Sequence, residues 1–97
     1  MRIFTELTLL DFSKAHVDAA SALRAWYAEV SHVEWRSMRD VKRRYPTASI
    51  LRGSRVVFNV KGNRYRIVTS IDFSRQAVFI RFLGTHAEYD KIDAVTV

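Results

Sequence analysis

The hydrophobic and polar positions change period along the chain. Between Arg55 and Ile92 they alternate: Val56, Phe58 and Val60 fall on one side, and Val57, Asn59 and Lys61 on the other. Tyr65, Ile67, Thr69 and Ile71 likewise oppose Arg64, Arg66, Val68 and Ser70, and Val78, Ile80 and Phe82 oppose Ala77, Phe79, Arg81 and Leu83. Side chains point alternately to the two faces of a strand, so this period of two predicts three strands, each with one face to bury. Lys61-Gly62-Asn63 lies between the first two, and Gly62-Asn63 tolerates positive φ, which predicts a tight hairpin. Asp72 to Gln76 reads as a longer connection between antiparallel neighbours.

Upstream the period is helical. Leu23, Trp26, Tyr27 and Val30 recur at helical spacing within a segment from Asp18 to about Val33. Trp26 and Tyr27 sit on the stripe that has to be buried, which makes them core and not platforms for stacking bases. Thr8 with Asp11 predicts the start of an earlier helix carrying Leu9 and Phe12, with His16 at its end. Ser37 opens a third, with Met38, Val41 and Tyr45 inside and Pro46 as its stop. Arg39 reads as a solvated charge, while Lys42, Arg43 and Arg44 suit either a solvated face or a second phosphate-contacting patch. Arg2 to Thr5 is apolar enough for an edge or a central strand, and Thr47 to Ser54 reads as a loop or brief extended piece. Thr85-His86-Ala87-Glu88 matches a capping box and predicts a short last helix. Helices clustered before sequential hairpins predict one α+β domain over residues 1–97, an antiparallel sheet covered on one face by N-terminal helices.

Charge narrows the partners. Sixteen Lys and Arg against ten Asp and Glu give +6, which favours nucleic acid or another polyanion, although an ordinary basic surface gives the same count. The absence of cysteine excludes disulfides and thiolate chemistry and agrees with a cytoplasmic location. Glu6 and Asp11 interrupt the only apolar run near the start, which argues against a signal peptide, and no stretch is long enough to span a bilayer. His16, His32 and His86 form no ligand motif, so neither a metal nor any other cofactor is expected.

The strand face opposite the oily set carries Lys61, Arg64, Arg66 and Arg81, and the pairing of the strands is expected to gather them. His86 and Tyr89 are three apart, hence neighbours on a helix, and follow closely on Arg81. Attack by an RNA 2′-hydroxyl on the adjacent phosphate needs a base, an acid and cations to stabilise the developing charge. His86 and Tyr89 are candidate proton-transfer groups and Arg66, Arg81 and Lys61 candidate charge stabilisers. Arg64, Asn63 and Lys91 are placed to hold flanking phosphates. The same charges also suit a basic RNA- or ribosome-binding module without chemistry, or a protein that docks an acidic partner.

The runs Arg55–Val68 and Phe79–Asp93, with Leu23-Arg24-Ala25-Trp26-Tyr27 and Tyr45-Pro46-Thr47-Ala48-Ser49 upstream, resemble the HigB toxins of the RelE-like group in type II toxin–antitoxin systems. The resemblance covers almost the whole chain in the same order. It implies a RelE-like fold and a bacterial, cytoplasmic endoribonuclease that cuts mRNA, usually on the translating 70S ribosome. It further implies neutralisation by a HigA-type antitoxin, whose helix-turn-helix gives the complex its only, indirect, contact with DNA. By motif position it maps the site to Lys61, Arg64, Arg66 and Arg81 on the strands, with His86 and Tyr89 beyond. These toxins vary in their base and acid, so the resemblance gives the place of the site and leaves each role open.

Overall fold

A computed structural model describes all residues 1–97. The alternating stretches form β3 (Arg55–Val60), β4 (Tyr65–Asp72) and β5 (Ala77–Thr85), preceded by β1 (Arg2–Phe4) and β2 (Ser49–Leu51). The helices are α1 (Glu6–Ala15), α2 (Ala20–His32), α3 (Met38–Arg44) and α4 (His86–Tyr89), with a 3-10 turn at Val17–Ala19 between α1 and α2. The five strands lie in the order β1-β5-β4-β3-β2. All pairings are antiparallel except β1 with β5, which is parallel. The expected α+β architecture is therefore present, and the two short pieces left open in the sequence are both edge strands. No helix is long and apolar enough to cross a membrane.

The main core lies between the sheet and α1, α2 and α3. Val56, Phe58, Ile67 and Val78 meet Leu9, Leu23, Trp26, Val30 and Val41 there. Phe58 is fully buried, with the rings of Trp26, Tyr45 and Trp35 centred 5.4, 5.1 and 6.2 Å from its own. Helix starts differ from the sequence reading in detail. Thr5, not Thr8, precedes α1, and the two hydroxyls lie 2.9 Å apart. At the β3–β4 turn positive φ falls on Lys61 and Gly62, not on Asn63. His16 does end α1, its backbone N–H donating to the Phe12 carbonyl.

Two findings change the picture of the second sheet face. First, β5 carries a bulge: Val68 pairs with Phe82 and Thr69 with Ile80, leaving Arg81 unopposed. One extra residue inverts the alternation beyond it. Leu83 therefore packs on the helix side and Phe82 on the other, the reverse of the expected arrangement. Second, the face expected to be open is partly covered. Val57 and Val68, placed there by alternation, are buried under Tyr89, Ile92, Ala94 and Val97. Arg55 fixes this C-terminal segment, its Nη1 donating to the carbonyl oxygens of Ala94 at 3.0 Å and Val97 at 2.6 Å. A sheet with apolar residues on both faces needs a second cover, and these last residues supply it.

Candidate functional site

The second face of β4 and β5, beside the C-terminal cover, holds two of the expected cations. Arg66, Val68 and Ser70 share that face by alternation. The half-buried Arg66 donates to the Asn63 carbonyl at 3.0 Å and lies 5.6 Å from the centre of the Tyr89 ring. Arg81 projects from the bulge, donates through Nε to Ser70 Oγ at 2.9 Å, and lies 5.5 Å from the centre of the Phe79 ring. Aromatic faces hold both guanidiniums without neutralising them. No carboxylate is paired with either.

Beyond the strand, α4 begins with the expected capping box. Thr85 Oγ1 accepts from the Glu88 N–H, and Glu88 Oε1 accepts from the Thr85 N–H at 2.8 Å. That second bond, above all, holds the Glu88 carboxyl below the usual carboxylate range. The cap fixes the direction of a one-turn helix carrying His86 and Tyr89. His86 is exposed, and its Nδ1 lies 3.0 Å from Asp90 Oδ2. In the tautomer whose Nδ1–H donates to that carboxylate, Nε2 keeps its lone pair and can accept a proton. Its backbone N–H donates to the Arg64 carbonyl at 2.9 Å, which ties α4 to the β3–β4 turn.

The remaining cations do not join this group. Lys61 and Arg64, expected on the same face as Arg66 and Arg81, turn instead to Asp18 between α1 and α2. Asp18 accepts from Tyr65 Oη at 2.6 Å and Arg64 Nη1 at 3.1 Å, with Lys61 Nζ 3.5 Å away. Lys61 Nζ also donates to the Asp18 carbonyl at 2.9 Å. The cause is local: β3 ends at Val60, and the positive φ of Lys61 and Gly62 directs the turn toward the helix layer. The Tyr65 hydrogen bond, with Lys61 and Arg64 beside it, holds the Asp18 carboxyl below its ordinary range, and the same bond pushes the Tyr65 phenol up. Asn63 and Lys91 are exposed, Asn63 at the turn beside Arg66 and Lys91 just after α4. His16 stacks on Phe12 at 4.2 Å and meets the Tyr65 ring edge-on at 5.6 Å.

Asp18, Ser70, Phe79 and Asp90 join these groups in the fold without standing among the candidates of the sequence. Only Asp90 carried a local signal, standing four residues after His86 on one helix face. Asp18 lies 46 residues from Arg64, and nothing short of the fold brings them together.

Fold and side chains thus define a small α+β domain with a basic, aromatic-backed sheet face beside a capped helical turn. The chain belongs to the HigB toxin family, the RelE-like toxic component of a toxin-antitoxin system, whose profile matches residues 19–92. It is 28% identical over 97 residues to the mRNA interferase toxin HigB of Escherichia coli K12, covering 98% of this chain and 93% of that one. A Shigella flexneri mRNA interferase HigB matches with the same figures. The mRNA interferase HigB of Escherichia coli O6:H1 is 23% identical over 94 residues, or 95% of this chain and 91% of that one.

Proposed function

We infer that this toxin is itself an mRNA interferase, a metal-independent endoribonuclease that cuts message on the ribosome in the cytoplasm and is silenced by a HigA-type antitoxin. The observation that carries the reading is that one sheet face bears two guanidiniums without a carboxylate partner, Arg66 beside Tyr89 and Arg81 farther along the strands against Ser70 and Phe79, in a chain of this family. Names of the relatives, each an mRNA interferase, point the same way.

The chemistry follows from the groups available. A 2′-hydroxyl gives up its proton and attacks the adjacent phosphorus. The bond from phosphorus to the 5′-oxygen breaks, and that oxygen takes a proton. The products are a 2′,3′-cyclic phosphate and a 5′-hydroxyl. His86 and Tyr89 are the proton-transfer groups, with Asp90 fixing the orientation of the imidazole. Arg66 and Arg81 offset the charge that builds on the phosphate oxygens. Lys61, Arg64, Asn63 and Lys91 hold the flanking backbone.

Expression in a bacterium tests the reading. The wild-type chain is expected to arrest growth, and Arg81→Ala or His86→Ala to relieve the arrest while circular dichroism shows a folded protein. Full toxicity in both folded variants would show the site to be misplaced. Arrest with message left intact would favour the non-catalytic RNA- or ribosome-binding module instead.

A further inference from the structure

We propose that Asp18 is a built-in substitute for an RNA phosphate, occupying a phosphodiester subsite at the α1–α2 junction until RNA displaces it. This rests on the ribonuclease reading and adds a regulated contact to it. Two donors from the β3–β4 turn region hydrogen-bond one carboxylate, Tyr65 Oη at 2.6 Å and Arg64 Nη1 at 3.1 Å, and a third cation, Lys61 Nζ, stands 3.5 Å from it while donating to the Asp18 main-chain carbonyl at 2.9 Å. A guanidinium, an ammonium and a hydroxyl around two anionic oxygens also form a donor set for a phosphodiester.

The charged groups of the site are open to exchange, while Tyr65 is buried beneath them. The side chains of Lys61, Asp18 and Arg64 are 40, 40 and 67% exposed. Exposed ion pairs of this kind contribute little and are screened by salt. A phosphate tethered to RNA already held on Arg66 and Arg81 arrives at high effective concentration and competes for the same donors. The geometry connects the two places. The Arg64 carbonyl accepts from the His86 backbone N–H at 2.9 Å, and the carbonyl of Asn63, two residues from Lys61, accepts from the Arg66 guanidinium at 3.0 Å. A strand of RNA passing from the sheet face over α4 reaches this turn next. Asp18 therefore weakens binding of any short anion there and leaves the subsite to a polymer anchored elsewhere.

Asp18→Asn tests this, because the amide oxygen still accepts from Tyr65 while the negative charge is gone. Binding is measured with a labelled, uncleavable 2′-O-methyl single-stranded RNA. The variant is expected to bind roughly three- to tenfold more tightly at ~0.1 M salt. Its log–log salt dependence becomes steeper by about one, as one more net cation meets phosphate. Unchanged or weaker binding by folded Asp18→Asn, with Lys61→Gln and Arg64→Gln still reducing affinity, would overturn the proposal and make Asp18 a strut for the turn. Should the wild type contact RNA neither free nor as message on the ribosome, the ribonuclease reading itself fails. If Asp18→Asn does not fold, the Asp18 carboxyl carbon resonance of the wild type decides: a shift on adding RNA supports exchange, and none overturns it.

Discussion

Gly84→Ala is the most informative single change, because one methyl strains the sheet's second cover and the helix cap at once. A Cβ at Gly84 would stand 2.6 Å from Cζ and 3.0 Å from Cε1 of Phe82, and 3.1 Å from Glu88 Oε1. The backbone there has no special torsion to protect, so the effect is steric. Phe82 packs against the buried Val57 and Val68, so a shift of its ring disturbs that layer. Overpacking of this kind costs about 1–3 kcal/mol. Displacing Glu88 from the Thr85 N–H weakens a cap worth ~1 kcal/mol. Together the loss is about 2–4 kcal/mol, or roughly 10–25 °C in melting temperature for a domain of this size. Urea unfolding measures the first quantity and calorimetry the second. A variant within ~0.5 kcal/mol of wild type would refute the reasoning, since Phe82 could then move at no expense to the layer beneath it.

Other changes probe separate parts of the account. Arg55→Ala removes both hydrogen bonds to the C-terminal segment and is expected to cost about 2–3 kcal/mol, with faster proteolysis within residues 92–97; unchanged proteolysis would contradict this. Phe58→Leu keeps an apolar side chain but loses three aromatic contacts, for about 2–3 kcal/mol in urea unfolding; a loss under ~0.5 kcal/mol would show that the rings contribute only bulk. The lowered Glu88 pKa means stability that is present above the ordinary value of 4.5 and lost as pH falls through the folded-state value. Glu88→Gln should therefore differ most from wild type near neutrality, the gap closing in acid; a gap independent of pH would show that the charge is immaterial.

How far the chain could be read depended on the range of the interaction. Val56, Phe58 and Ile67 announce a buried face through a period of two, and Thr85 with Glu88 announces a cap through spacing of three. Both are local rules, and both hold in the fold. The bulge at Arg81 has no such mark, yet it exchanges the faces of Phe82 and Leu83 and aims Arg81 at Ser70. Strand parity puts Lys61 and Arg64 on the open face, but parity stops applying once β3 ends at Val60. Their carboxylate partner depends on where α1 hands over to α2, a matter of tertiary packing. Burial of Val57 and Val68 likewise required knowing that residues 92–97 fold back over the sheet.

Mapping the ends of RNA cut by the purified chain is the measurement closest to the central claim. Messenger RNA is incubated with translating ribosomes, with and without the protein, and the new termini are characterised chemically. Cuts bearing a 2′,3′-cyclic phosphate and a 5′-hydroxyl are expected, and are lost in folded Arg66→Ala and Arg81→Ala. Intact message, or cuts bearing 5′-phosphates, would contradict that claim.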